Sequence, residues 1–115
     1  MKAKLKGYRV ERKVRKIFEK FGWKVIRSGA SLGPADLVCL KGGKCLLIQI
    51  KSTKKKAIYY SDYLGEKLEG FPFYVIVNFE RKGMKVCKPK KKISLEDGID
   101  LYQFLEKINE EYAAS

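Results

Sequence analysis

Histidine is absent from this chain of 115 residues, and acidic residues are scarce, with 13 Asp and Glu against 26 Lys and Arg. The lack of histidine excludes histidine general bases, Ser-His-Asp triads, Cys-His nucleophiles and histidine metal ligands. Any hydrolytic chemistry must therefore use carboxylates, lysine and a metal ion. The sequence also has no apolar run long enough to span a bilayer and no recognisable signal peptide, so we expect a cytoplasmic protein without a membrane segment.

Cysteine is sparse as well. Cys39, Cys45 and Cys87 all lie in strand-like runs and lack CxxC spacing, which argues against a zinc site. We expect free buried thiols. A disulfide between Cys39 and Cys45, which lie in consecutive predicted strands, is the alternative.

Positive charge is what the sequence has in excess, with a formal net charge of +13. This excess predicts a polyanionic partner, and nucleic acid is the first choice. A lysine-rich surface of the heat-adapted kind is the alternative, but glutamate should then rise with lysine. The basic runs cover residues 2–6, 51–56 and 81–92, at loops or chain ends. We expect them to grip phosphates rather than read bases, which assigns DNA contacts to Lys6, Lys54, Lys55 and Lys56.

The hydrophobic pattern predicts one domain over residues 1–115. Its order is helix, strand, hairpin, short helix, two strands, helix. Helices are expected over residues 8–21, weakly over 59–69, and from 99 to 112, with a flexible basic arm before the first; strands are expected over 23–27, 35–40, 45–51, 73–79 and 84–87. This order indicates an α/β fold in which helices pack against a five-stranded mixed sheet.

The hairpin brings together polar groups that could carry chemistry. Asp36 opens its first strand, while Gln49 and Lys51 alternate along its second strand and so share a face. Phosphodiester hydrolysis needs an activated water and stabilisation of phosphate charge, which a hard cation with oxygen ligands and a nearby lysine can supply. We expect the ligands to be Glu11 from the first helix, Asp36, the Gln49 side-chain oxygen and the Ile50 carbonyl, with Lys51 as the cationic partner.

Each of these residues also has a plainer explanation. Asp36 could be a turn residue, Lys51 a surface lysine, and Glu11 the helical partner of Arg15 four residues on. Gln49 is harder to dismiss because it interrupts an apolar strand. A buried amide without a partner costs roughly 1–3 kcal/mol, so Gln49 must have one, which could also be a purely structural hydrogen bond.

Two short motifs connect these residues to a known family. Residues 34–36 (Pro-Ala-Asp) followed by 49–51 (Gln-Ile-Lys) resemble the PD-(D/E)xK nuclease superfamily, with Gln in place of an acid. Residues 6–12 (Lys-Gly-Tyr-Arg-Val-Glu-Arg) resemble the K-G-x-x-x-E-R opening of archaeal Holliday junction resolvases, and residues 27–31 resemble their R-x-x-x-S loop. The resemblance covers about residues 6–56 and is looser beyond them.

The resemblance implies a homodimeric, magnesium-dependent endonuclease (with Mn²⁺ as an alternative ion) of the restriction-endonuclease-like fold, from an archaeal or viral source. Such an enzyme resolves four-way (Holliday) junctions by paired symmetric nicks. Glu11, Asp36 and Lys51 match metal-binding or catalytic positions of the family. The remaining matches are a serine that assists at the scissile phosphate, Ser31, and arginines that contact DNA, namely Arg9 or Arg12 together with Arg27.

Two departures from the family pattern leave alternatives open. Gln49 replaces the family's acid, so the chain could be a working variant, a cleavage-deficient protein that binds junctions, or a deliberately disabled one. Asp62 or Glu66 could compensate from the predicted short helix. That segment, residues 59–70, is also shorter than its counterpart in typical resolvases, which leaves the dimer surface and the substrate open. Other branched or single-stranded DNA is therefore an alternative substrate.

Overall fold

The computed structural model describes residues 2–29 and 31–114, and the side chains of residues 7–29 and 31–111. The elements in chain order are α1 (Lys2–Lys20), β1 (Lys24–Arg27), β2 (Leu37–Lys41), β3 (Lys44–Thr53), β4 (Ala57–Tyr59), β5 (Lys67–Leu68), β6 (Phe71–Phe79), β7 (Gly83–Cys87), β8 (Lys92–Ser94), β9 (Ile99–Asp100) and α2 (Leu101–Ala114). Across these residues, we find no helix with the length and apolar character needed to cross a membrane.

The strand β3 lies inside a mixed sheet, antiparallel to β2 on one side and parallel to β6 on the other. In the described part of the chain the sheet has seven strands, in the order β1-β2-β3-β6-β7-β9, with β5 paired to β6. All five expected strands are present, and the expected mixed α/β fold is confirmed. The short strands β5 and β9 extend the sheet, while β4 and β8 form a separate two-stranded sheet.

The first helix packs on the sheet through one apolar face. Val10, Val14, Ile17 and Phe18 are buried at helical spacing, as the sequence pattern predicts. Gly22 follows the helix with a φ of 90°, a left-handed conformation that glycine adopts without strain. The helix begins at Lys2, so the interpretation of residues 1–6 as a flexible arm is wrong for residues 2–6. Lysine, alanine and leucine favour helix, which explains the extension.

Alternate side chains of β3 pack into two separate hydrophobic cores. Ile48 packs in a core with residues of α1 and α2, whereas Leu47 packs in a second core. The described members of the second core include no helical residue, and Ile93 of β8 closes it. Both helices therefore lie on one face of the sheet, and the β4–β8 pair covers the other face.

The expected short helix over residues 59–69 is wrong. This segment contains the end of β4, an irregular stretch and β5. Contacts with other segments of the chain determine its path. The Tyr60 N–H donates to the Lys91 carbonyl at 2.8 Å, and the Tyr63 ring packs edge-on against Phe73. Leu64, which the helical pattern would bury, is exposed.

Two smaller expectations are also corrected. The Cys39 and Cys45 thiols are both free, so the alternative of a disulfide between them is wrong. The C-terminal helix begins at Leu101, while Ile99 pairs with Val86 as part of β9. Asp100 explains the boundary, because its Oδ2 accepts the Tyr102 N–H at 3.0 Å and so caps the helix.

The helical core makes a direct stability prediction. Phe18→Ala should lower the free energy of unfolding by about 3–5 kcal/mol, because the ring is fully buried and meets Trp23 edge-on. Phe71→Ala is the matched control, since Phe71 is 48% exposed and should change stability by about 0.5 kcal/mol or less. Urea unfolding measures both variants. Equal losses would contradict the assignment of Phe18 to the core.

Candidate active site

Asp36 is fixed to β3 by two hydrogen bonds. Its backbone N–H donates to the Ile48 carbonyl at 2.7 Å, and its Oδ2 accepts the Ile50 N–H at 2.7 Å. On the other side, the Ser28 N–H donates to the Asp36 carbonyl at 3.0 Å, and the buried Ser28 hydroxyl donates to the Ala35 carbonyl. Sequence reasoning missed this role of Ser28, for which its place in a small-residue loop was the only signal. The carboxylate is therefore held where β3 continues beyond its pairing with β2.

Glu11 faces the same region from α1. Together with Asp36, Ile50 and Lys51 it lines a cavity of about 370 Å³, which also includes Gly7, Val10 and Ser52. The Glu11 carboxylate pairs with the Arg27 guanidinium from β1 rather than standing free in solvent. The expected acids and lysine thus meet at one cavity. They come from α1, from the residue before β2, and from β3.

Burial and nearby charges both affect the Asp36 carboxylate. Burial raises the pKa of Asp36 above its ordinary value, and the negative charges of Glu11 and Asp62 raise this pKa further. The Ile50 N–H and the charge of Lys51 act in the opposite direction. The net upward direction means that the ionised carboxylate is disfavoured by its surroundings, so a bound cation would stabilise it.

Gln49 lies on the opposite side of β3 from the cavity-lining Ile50 and is not among the described residues that line the cavity. Its amide is buried and hydrogen-bonded at both ends: Oε1 accepts the Tyr60 hydroxyl at 2.5 Å, and Nε2 donates to Asp62 Oδ2 at 2.7 Å. The expectation that Gln49 must have a partner is confirmed. The amide oxygen expected to face a metal contacts a phenol instead.

Lys51 connects the two sides of the strand. Its side chain lines the cavity, and its Nζ lies 2.7 Å from Asp62 Oδ2. Hydrogen bonds from Lys51 and Gln49 hold the pKa of Asp62 below its usual range. Glu66, the other acid that could have compensated for Gln49, instead pairs with Lys88 at 2.9 Å on the surface.

The remaining predicted residues with described side chains do not line the cavity. Ser31 is exposed in the loop before Asp36 and does not line the cavity. Arg27, besides its ion pair with Glu11, places its guanidinium over the Tyr8 ring at 5.4 Å from the ring centroid. The other predicted DNA contacts are all exposed: Arg9, Arg12, Lys54, Lys55 and Lys56. The side chain of Lys6 lies outside the described residues.

A second concavity, which sequence reasoning missed, lies beyond the end of β3. Lys54 borders a space of about 610 Å³ together with Lys13, Asn78, Glu80 and Arg81. Its lysine and arginine side chains could offer positive charge to an anionic ligand. The signal was available only from the fold, since these residues come from three separate segments.

Comparison with known proteins shows the family of this chain. The family profile described as archaeal Holliday junction resolvase (Hjc) matches residues 2–112. The chain belongs to this family. Among curated proteins, the crossover junction endodeoxyribonuclease Hjc of Methanocaldococcus jannaschii is 36% identical over 66 residues, covering 57% of this chain and 49% of that protein. The match therefore spans about half the length of that relative.

A solved structure supports the fold. Archaeoglobus fulgidus Hjc, described as a Holliday junction resolvase, superposes with a TM-score of 0.67 at 23% identity and covers 88% of this chain and 96% of its own. This resolvase-family chain therefore has the fold that the sequence analysis expected, consistent with a restriction-endonuclease-like architecture.

The donor groups of this Hjc-family chain fit a magnesium ion in part. Within the described residues, no three Asp, Glu, Cys or His side chains lie close enough to hold a metal ion by themselves. Two carboxylates, Glu11 and Asp36, and the Ile50 backbone border the cavity. Mg²⁺ commonly uses one or two carboxylates and keeps several waters, so this set is sufficient in kind. The buried position of Asp36 and the nearby charge of Glu11 favour a bound cation without selecting its identity.

The raised pKa of Asp36 predicts a pH-dependent effect on stability. Because the folded protein disfavours the ionised form, the charge lowers the free energy of unfolding above the raised pKa, and this penalty vanishes below the unfolded value of about 4. Asp36→Asn keeps an oxygen for the Ile50 N–H but carries no charge. We expect the variant to melt at a higher temperature than the parent near pH ~7, with the gap closing at about pH 3.

The measurement is a series of thermal melts across pH in a chelating buffer. Glu106→Gln on the exposed face of α2 is the control for charge removal. A variant that melts below the parent at neutral pH would contradict the assignment.

Proposed function

We propose that this protein is a metal-dependent, structure-selective DNA endonuclease that resolves four-way junctions by paired symmetric nicks. The observation that carries the proposal is the convergence of Glu11, Asp36 and Lys51, from three elements, on one cavity. Membership of the resolvase family and the name of the Methanocaldococcus relative support the reaction and the substrate.

Each cavity residue has a distinct task in the proposed reaction. Glu11 and Asp36, with the Ile50 carbonyl, would hold Mg²⁺ or Mn²⁺. A bound ion of this kind lowers the pKa of a water and polarises the phosphate. Lys51 places a positive charge at the same cavity, where it can orient the attacking water or neutralise charge that develops on the phosphate. Arg27 holds the Glu11 carboxylate in place through their ion pair.

The proposed DNA contacts are non-specific in sequence. Positive charge for phosphates comes from the exposed side chains of Arg9, Arg12 and lysines 54–56. The second concavity, bordered by Lys13, Lys54 and Arg81, adds to it. Such contacts fix the position of a nucleic acid without reading its bases. We infer recognition of DNA shape, with two copies of the chain acting as a homodimer, because symmetric resolution needs two cuts related by two-fold symmetry. Because its substrate would be intracellular DNA, we expect the protein to act in the cytoplasm and to come from an archaeon or a virus.

A second candidate is a junction-binding module that does not cut. The position of Gln49 favours it, because the amide oxygen is hydrogen-bonded to Tyr60 and the site has two cavity-lining carboxylates among the described residues. Such a site should hold a divalent ion more weakly than one with three carboxylates.

A cleavage assay separates these candidates. We expect a labelled four-way junction to be nicked symmetrically with Mg²⁺ or Mn²⁺, and Asp36→Ala to slow cutting by at least about 100-fold because it removes a proposed metal ligand. Glu106→Ala, on the outer face of α2, is the control and should cut at the parental rate. A gel shift without nicks would support the binding module, and undiminished cutting by Asp36→Ala would refute the site assignment. Flap, duplex and single-stranded substrates test the remaining alternative.

Binding should depend steeply on salt. If about six phosphates are neutralised, the slope of log affinity against log salt should be near −5. Replacing Lys54, Lys55 and Lys56 together with alanine should make it shallower by about 2–3, since each lost phosphate contact removes about 0.9. Lys107→Ala on α2 is the control. Fluorescence anisotropy at several salt concentrations measures the slope, and a parental value shallower than about −2 would contradict the proposal.

A further inference from the structure

One carboxylate oxygen collects two hydrogen bonds next to the cavity. Asp62 Oδ2 lies 2.7 Å from Gln49 Nε2 and 2.7 Å from Lys51 Nζ. These are the two polar side chains of the Gln-Ile-Lys motif, and the first stands where the family resemblance places an acid. Asp62 belongs to a different segment, the irregular stretch between β4 and β5.

The segment around Asp62 is held by buried groups. Tyr60 is almost fully buried; its N–H donates to the Lys91 carbonyl at 2.8 Å, and its hydroxyl lies 2.5 Å from Gln49 Oε1 and 2.8 Å from the Tyr63 carbonyl. The Tyr63 ring in turn packs against Phe73. Asp62 is therefore anchored on both sides, which distinguishes it from Glu66, whose pair with Lys88 is about two-thirds exposed on both sides.

The pairing of Gln49 with Asp62 is chemically selective. The amide nitrogen of Gln49 donates to Asp62, which a glutamate at position 49 could not do. A glutamate there would instead set two carboxylates against each other at hydrogen-bond distance, and like charges so close are strongly unfavourable. The neutral residue at 49 and the acid at 62 are thus a matched pair.

We propose that Asp62 is a positioning residue that supplies, from the segment after β4, the carboxylate that the motif lacks at position 49. It holds the Lys51 ammonium at the cavity and keeps a third negative charge within electrostatic reach of the Asp36 carboxylate. This role rests on the proposed nuclease function and deepens it. The charge of Asp62 reaches the cavity, since it contributes to the raised pKa of Asp36.

A direct consequence concerns the obvious repair of the motif. Gln49→Glu alone should not improve the site, because the new carboxylate meets Asp62. When Gln49→Glu is combined with Asp62→Asn, the carboxylate and the amide exchange positions. The negative charge then lies on β3 and the amide at position 62. The two positions should therefore be coupled, with the double variant closer to the parent than either single variant.

The experiment compares the parent with Gln49→Glu, Asp62→Asn, the double variant and Glu66→Gln as the surface control. Mn²⁺ binding to the DNA-free protein is measured by calorimetry, and single-turnover cutting of a four-way junction is measured at saturating protein. We expect Asp62→Asn to weaken Mn²⁺ binding and slow cutting by about 10-fold each, without changing junction affinity. The Mn²⁺ affinity and cutting rate of the double variant should return to within about threefold of the parental values. Those of Glu66→Gln should equal the parental values.

The outcomes separate this inference from the function on which it rests. A parent that neither binds Mn²⁺ nor cuts junctions refutes the proposed function, and the pairing is then decided by melting temperatures alone. Coupled shifts, in which the double variant melts higher than the two single shifts together predict, support the pairing; additive shifts overturn it. With an active parent, Asp62→Asn that binds Mn²⁺ and cuts like the parent overturns the inference by itself.

Discussion

The hydrogen bond from the Ile50 N–H to the Asp36 carboxylate is the contact on which the site depends. It fastens the residue before β2 to a point of β3 where the backbone would otherwise lack a partner from that strand. A charged acceptor on a backbone donor is among the stronger hydrogen bonds of a protein. Once this bond is made, Ile50 and Lys51 have fixed positions relative to the carboxylate, and α1 needs only to dock by its apolar face to bring Glu11 to the same cavity.

The other side of β3 carries a polar network next to the apolar packing of Leu47. Tyr60, a member of the second core, and Asp62 bond to both ends of the Gln49 amide, so a group that would be costly to bury alone is buried with partners. This network places an acid next to Lys51 without using the strand itself. The site is therefore built from both faces of one strand, with metal-binding groups proposed on the helical side and charge supplied from the other.

Much of this arrangement could be predicted from local patterns. The spacing of Val10, Val14 and Phe18 indicates the helix that carries Glu11, and strand alternation places Gln49 and Lys51 on one face, where both reach Asp62. The segment after β4 could not be predicted, because its course follows from contacts with residues 73 and 91, which are far away in sequence. For the same reason Asp62 was only one of two candidate acids, and sequence spacing alone could not separate it from Glu66.

The parallel pairing of β3 with β6 has a consequence for how the molecule is made. It joins Leu47 to Phe73 and Thr53 to Phe79, so a long stretch of chain must be closed before any of these contacts forms. Pairings of this kind lose chain entropy first and are slow to form. The net positive charge of the chain, by contrast, does not depend on folding. A partly folded chain is therefore expected to carry its full positive charge before the acids of the cavity converge.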